Sequence, residues 1–317
     1  MRNEEAITFL ENSFLSELLK IEGITDISYN GKSIFFQTNS KGRMKSSLQI
    51  DNEVVGAFLK QIANLMECSF SYSKPVLDVS FGRYRLNGVN RSLARYKNEK
   101  CYTFAIRLAS STPRLDSDFF KEEDLKIIHE LLEKKESIVI GGLTSSGKTE
   151  LQKYLLMHMT PSCRVIVIDN LEELDLVENE NIDMSTWLTD SNIPGASFSG
   201  LIKNSLRNNP DYVIVAECRG GETLDALTSA MSGHPIITTI HARDLEGMPD
   251  RMARLSMMGN ERLYKEEVLD DLSHHIHYYV YVEKKVEKDS SIKRRIASIG
   301  ELEDGQKKVK VIYRRKD

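Results

Sequence analysis

The sequence predicts an α/β protein, a parallel-sheet domain preceded by a smaller α+β domain. Three observations predict it. The apolar pattern changes character near residue 112, which divides the chain into 1–112 and 113–317. Beyond that point short continuous apolar runs alternate with helical periods, as in a parallel sheet covered on both faces. One of those runs leads directly into a glycine-rich loop and then a helix. The length of 317 residues also suits two domains at roughly 150 residues each.

Taken in order, Ile7, Leu10, Phe14, Leu18 and Ile21 step by three or four residues and predict one helix that stops at Gly23. Ile24–Tyr29 alternates like a strand, Asn30-Gly31 is a two-residue hairpin turn, and the run from Ser33 to Phe36 returns. Val54, Val55, Phe58, Ile62 and Leu65 mark a second helix. Two β-like runs follow, 79–86 and 102–108. The polar stretch 110–117, with Pro113, reads as a linker. The second domain then reads helix 122–132, strand 137–140, loop, helix 149–158, strand 164–168, helix 200–207, strand 211–216, helix 222–232 and strand 235–240. The β-like runs 276–282, 293–299 and 308–313 predict a closing antiparallel meander and a β-rich C-terminal segment.

Composition excludes several classes. Seven prolines and 18 glycines are too few for a collagen-like or low-complexity chain. Four widely spaced cysteines, with no C-x-x-C, offer neither a zinc module nor a disulfide framework. His274, His275 and His277 resemble metal ligands, but nothing beside them supports a site, and a hydrated strand edge explains them. No apolar run approaches the roughly 20 residues that cross a bilayer, and the N-terminus lacks the basic-then-apolar order of a signal peptide. The expectation is a soluble, cytoplasmic protein. The net charge of −4 conceals an asymmetry: the last 37 residues hold 12 Lys/Arg against 7 Asp/Glu, so a basic tail of +5 follows a body of −9. An acidic body argues against direct nucleic-acid binding, and the tail is a candidate docking surface.

Gly142-Leu-Thr-Ser-Ser-Gly147-Lys148-Thr149 fits the phosphate-loop pattern G-x-x-x-x-G-K-[ST] without a mismatch. Glycines let successive backbone N–H groups turn around phosphate oxygens, and the following helix adds the positive end of its dipole. Gly142, Thr144, Ser145, Ser146, Gly147, Lys148, Thr149 and Glu150 are therefore expected around ATP. Lys148 would reach the terminal phosphates and the Thr149 hydroxyl would hold Mg2+. Val213–Ala216 runs into Glu217, placed to hold the metal's water shell or activate the attacking water. Val165–Ile168 runs into Asp169, with Glu173 behind. His234 and His241 bracket the next strand and are expected near the γ-phosphate. In the first domain Arg83, Arg85 and Arg107 lie on β-like runs, with Arg83 and Arg85 at alternating positions. They present either a solvated face or a cationic surface for a phosphate held elsewhere.

Together these residues resemble the type II/type IV secretion ATPase superfamily, the hexameric traffic ATPases of conjugation, Tad-type pili and type IV pili. Four boxes stand in the family's order: 142–149, an Asp box at Asp169–Leu174, a Walker-B block at Leu206–Glu222, and a His box from Ser232 to Ala242. The resemblance covers roughly residues 20–300. It implies a RecA-like ATPase domain behind a PAS-like N-terminal domain, and a homohexamer with Mg-ATP between the domains. Asp169 and Glu173 would be ligands of Mg2+ or its water, the first-domain arginines would complete a neighbour's site, and hydrolysis would rock the domains about 110–117. Partners would be inner-membrane components of a secretion or pilus machine, with the chain peripheral at the cytoplasmic membrane. Three departures stand out: Ser145 where the family has glycine, Asp169-Asn170 where it has Glu-Asp, and no zinc cysteines. The second shifts the general base to Glu217. Two other readings remain beside it, a RecA-like nucleic-acid motor and a nucleotide-gated scaffold with little turnover.

Overall fold

The computed structural model describes residues 2–190, 193–287 and 291–316. The chain divides into two compact units, Met1–Ser110 with Val286–Ile292, and Ser111–Lys285 with Lys293–Asp317. The second boundary departs from a simple split near residue 112, because residues 286–292 of the C-terminal segment go with the first unit. There Ile292 N donates to Ser40 O at 2.9 Å, and Lys41 bridges Ser291.

The first unit begins with α1 (Arg2–Glu11) and α2 (Ser16–Leu19). The sequence period predicts one helix here, but side chains break it. Asn12 Nδ2 donates to Thr8 O, and Ser13 Oγ donates to Leu10 O and accepts from Leu15 N, offering the backbone an alternative to its ladder. Next come β1 (Ile24–Tyr29), β2 (Ile34–Thr38), β3 (Met44–Lys45), α3 (Asn52–Leu65), β4 (Val76–Phe81), β5 (Tyr84–Val89), the small pair β6 (Arg95–Tyr96) and β7 (Glu99–Lys100), and β8 (Thr103–Leu108). The run 79–86 is thus a hairpin, turning at Gly82 with φ +55°. The sheet order is β3-β2-β1-β8-β5-β4. Ile27, Leu86, Phe104 and Ile106 bury one face among the apolar residues of the helices. The alternate positions, including Asp26, Arg85 and Arg107, form the other face. Gly56 of α3 faces Tyr102 so closely that a Cβ would meet its ring at 2.4 Å.

The second unit contains α4 (Glu122–Glu133), β9 (Ile138–Gly142), α5 (Lys148–Met157), β10 (Arg164–Asp169), β11 (Asp183–Leu188), α6 (Phe198–Ser205), β12 (Tyr212–Val215), α7 (Glu222–Met231), β13 (Ile236–His241), α8 (Met248–Met257), α9 (Lys265–His275), β14 (Tyr278–Val286, of which Val286 clusters with the first unit), β15 (Ile292–Glu301, of which Ile292 clusters with the first unit) and β16 (Lys310–Arg314). The sheet order is β11-β10-β12-β13-β9-β14-β15-β16. Neighbours from β11 to β14 pair parallel, and β15 pairs β16 antiparallel. Two apolar clusters cover its two faces. The structure corrects the expected meander, since β14 extends the parallel sheet by pairing with β9. It also adds the edge strand β11, whose half-exposed residues carry no continuous apolar run. His274 and His275 close α9 and edge no strand. No helix among the described residues is long and apolar enough to cross a membrane.

Much of the second unit's stability comes from the central strands. Ile214 of β12 is fully buried, so Ile214→Ala is expected to cost about 2–5 kcal/mol through lost burial and a cavity. A lower denaturant midpoint measures it.

Candidate nucleotide site

The parallel register brings the site together. Gly142, the last residue of β9, stands opposite His241, the last of β13, and Val215 stands between Ile168 and Thr238. Past the strand ends the alignment continues: Ala216 N donates to Ile168 O and Cys218 N to Thr239 O, both at 2.9 Å. The loop 143–147, Glu217, His241 and Asp169 therefore share the C-terminal edge of the sheet, where open α/β sheets bind ligands.

The loop is bent by backbone angles that L-residues seldom adopt. Gly147 has φ +102° and Ser145 φ +61°. The first suits glycine; the second costs a serine about 1–2 kcal/mol. No side chain caps the N-terminus of α5 at Gly147, so its first N–H groups are available to an anion. Lys148 is buried, and its Nζ donates to Gly142 O at 3.1 Å and Leu143 O at 3.0 Å. Burial lowers the Lys148 ammonium to about 8, with Glu217 pulling it up and Arg219 pushing it further down. Ser146 Oγ is buried without a hydrogen-bond partner.

Glu217 faces this loop from the end of β12. Its Oε2 accepts from Arg219 Nη2 at 2.6 Å, while Oε1 is buried with no aligned hydrogen bond, 3.2 Å from His241 Nε2. Burial would raise the Glu217 carboxyl, but Arg219 first, then His241 and Lys148, hold it below its ordinary value. His241 is pushed down by burial and next by Lys148, which favours its neutral imidazole.

Four expected site residues are placed otherwise. His234 precedes β13 while His241 ends it, so the two lie roughly 23 Å apart along an extended chain at 3.3 Å per residue. The His234 ring sits at the opposite edge of the sheet, Nδ1 at 3.0 Å from Pro210 O, too far from its own loop to touch a phosphate there. Asp169 is buried, and its carboxylate is fully engaged. Oδ1 accepts from Asn170 N (2.7 Å) and Leu171 N (3.0 Å), and Oδ2 from Glu173 N (2.9 Å) and Leu174 N (3.0 Å). It folds the loop after β10, and no lone pair is left for a metal. Glu173 supplies an N–H to that cap. Glu150 accepts from Arg114 N at 2.6 Å and pairs with Lys153 at 3.3 Å, tying α5 to the segment before α4.

In the first unit Arg85 and Arg107 are direct partners across β5 and β8. With Asp26, Arg43 and Asn87 they line a cavity of about 230 Å³ on the outer face of the sheet. Arg107 Nε lies 3.6 Å from Asp26, and Arg85 Nε 3.9 Å from Asp78. Arg83 does not join them: it lies in the β4–β5 turn, donates to Tyr84 Oη at 2.9 Å and approaches Glu11.

Two arginines of the site were not singled out by the sequence reading. Arg219 could have been found from its position two residues past Glu217. Arg294 could not, because it reaches Ser145 O (3.0 Å) from β15, 149 residues away. Within the basic tail Arg294, Arg295 and Arg315 are turned inward, while Lys310 and Arg314 pair with acids at the surface. Arg295 pairs with Glu283 at 2.6 Å, Arg315 with Asp118 at 2.7 Å, Lys310 with Glu303 at 2.5 Å, and Arg314 with Glu246.

Two outcomes follow from this geometry. Asp169→Asn replaces an acceptor by an N–H2 facing two N–H donors, and should cost about 2–5 kcal/mol, seen as a lower melting temperature with no nucleotide present. Lys148 carries its proton less readily folded, at about 8, than unfolded, at 10.5. The penalty for its burial is fully present below pH 8 and fades as pH rises toward 10.5, so this residue makes stability increase across that window. Urea unfolding of wild type and Lys148→Met at pH 7.5 and 9.5 should show the increase in the wild type relative to the variant.

Comparison with known proteins agrees with this architecture. The chain is 26% identical over 256 residues to an uncharacterized protein of Bacillus anthracis, covering 78% of this chain and 56% of that one. It is 23% identical over 213 residues to the conjugal transfer protein TrbB of Rhizobium radiobacter, covering 65% and 64%. It thus spans less than two thirds of the length of either relative. The Legionella pneumophila ATPase DotB superposes with a TM-score of 0.68 at 19% identity, covering 96% of this chain and 81% of that one; the likeness is one of fold, that of a RecA-like P-loop ATPase. The family model described as type II/IV secretion system protein matches residues 101–276, more than half of the sequence and the whole stretch from β9 to α9, and with that match the chain belongs to the type II/IV secretion system protein family.

Proposed function

We propose that this chain is a Mg-ATP-hydrolysing motor of a type IV secretion, conjugation or Tad-like pilus apparatus. The observation that carries the reading is the convergence of a complete phosphate loop and Glu217 on one sheet edge, with Glu217 Oε1 buried and lacking an aligned hydrogen bond. A buried carboxylate oxygen left in that condition beside a buried lysine suits a site built for a ligand. The residues present fit Mg2+ and a triphosphate: uncapped helix N–H groups, one ammonium, the Thr149 hydroxyl, and a carboxylate that stays ionised at neutral pH. Mg2+, when bound, would offset phosphate charge, held by Thr149 and, through water, by Glu217.

Each residue then has a task. Lys148, which now donates to two loop carbonyls, exchanges them for phosphate oxygens and keeps its proton more firmly beside an anion. Glu217 orients the attacking water and takes its proton, with Arg219 fixing the carboxylate's direction. His241, next to Glu217, is the residue placed to sense the terminal phosphate. Arg85 and Arg107 are positioned as a pair to serve a phosphate bound by another copy in a homohexamer. A conjugal transfer protein among the relatives supports a transfer apparatus as the setting, and attachment to inner-membrane components at the cytoplasmic face is part of the same proposal.

Lys148→Ala is expected to abolish ATP turnover while the fold persists by circular dichroism. Glu217→Gln should keep nucleotide binding but slow hydrolysis by roughly 10²- to 10⁴-fold. Undiminished phosphate release by the lysine variant would sink the reading.

A further inference from the structure

Ser145 presents a problem that the site itself does not solve. It holds φ +61°, a conformation that glycine adopts freely and serine resists, in the middle of a loop whose shape must be right before a phosphate arrives. Its own side chain supplies no hydrogen bond that would explain the angle. The carbonyl does: Ser145 O accepts from Arg294 Nε at 3.0 Å. Arg294 is buried at 7% exposure, and its stem runs beneath the loop, where a Cβ on Gly147 would lie 3.5 Å from Arg294 Cδ and 3.2 Å from Phe119 Cε2. The arginine is also anchored through its main chain, since Arg294 N donates to Asp116 Oδ2 at 2.7 Å, and two residues on Ile296 N donates to Phe119 O at 3.1 Å.

We propose that Arg294 is a positioning residue for the phosphate loop, clamping the Ser145 carbonyl so that a serine can hold the left-handed conformation. A peptide unit is planar and its C=O and N–H point in opposite directions. Fixing the Ser145 carbonyl outward on Arg294 therefore fixes the Ser146 N–H inward. There it makes only a long bond, 3.3 Å, to Leu143 O, the same oxygen that Lys148 holds. An arriving phosphate can take both donors at once. A charged guanidinium suits the task because donors bearing charge make the stronger hydrogen bonds. Apart from that long turn bond to Leu143 O, the Arg294 clamp is what resists the return of Ser145 to negative φ, which would swing the Ser146 N–H out of place. The inference rests on the reading of this loop as a nucleotide site.

The test is a double-mutant cycle on the full chain, with affinity for a fluorescent ADP analogue as the readout, so that hydrolysis plays no part. Arg294→Ala should weaken binding roughly tenfold or more, the scale of one charged hydrogen bond. Measured against Ser145→Gly alone, the double variant should bind within about threefold, because glycine needs no clamp. Arg294→Lys, which preserves charge and stem for the case where alanine unfolds the chain, should show a smaller loss that Ser145→Gly also relieves. Unchanged affinity in Arg294→Ala overturns the proposal, as does a loss that Ser145→Gly leaves untouched, for the arginine would then act only as packing. If the wild type itself binds no nucleotide, the reading of the site falls first and this inference with it.

Discussion

The second unit depends on one constraint, the parallel register that stops β9, β10, β12 and β13 at the same level. Because Gly142 stands opposite His241 and Val215 beside Thr238, the chain leaves each strand at the same edge. Everything chemical in the molecule hangs on those departures. Shifting β12 by one residue would turn every side chain on it to the other face. It would take Glu217 from beside Lys148 and His241 and bury nothing useful in exchange. The continuous apolar strands, buried on both sides, are what make such a shift expensive.

Around that edge the polar groups form a hierarchy. Asp169 is spent wholly on the backbone and so acts as architecture. Glu217 is half spent, one oxygen on Arg219 and one open toward Lys148 and His241, which is the condition of a group that can still do chemistry. Lys148 is satisfied only by carbonyls that a better acceptor would displace. The strained serine and its arginine belong with Asp169: they shape the loop without touching what it would hold.

What could be read from the sequence followed from local rules, and what could not followed from distance. The phosphate loop, the strand before it and the helix after it obey spacing rules confined to a dozen residues, and Glu217 follows from an apolar run ending in an acid. His234 was misplaced by a local rule misapplied. Residues that bracket a strand lie at its two ends, so only one of them can share an edge with the phosphate loop. Asp169 was misread because a carboxylate in a loop looks the same in sequence whether it meets a metal or four amide hydrogens. The single long N-terminal helix was lost to two side chains, Asn12 and Ser13, that compete for the backbone. Edge strand β11 is half exposed and so lacks the apolar signature, while the parallel pairing of β14 and the reach of Arg294 are set by contacts across more than a hundred residues. In the first unit, the pairing of Arg85 with Arg107 depends on cross-strand register, and the turn that removes Arg83 lies inside what reads as a single apolar run.

The end of β14 and the start of β15 break the linear division of the chain. Residues 286–292 belong with the first unit although their neighbours on both sides belong with the second, and Ile292 and Ser291 pair with residues 40 and 41. The first unit is therefore not a contiguous piece of the gene. A fragment ending at residue 110 would lack part of its own body, and the remainder would carry an orphaned stretch. A single crossover near the linker would bring together halves that never shaped each other. An exchange of the first unit between related chains would have to carry the stretch 286–292 along.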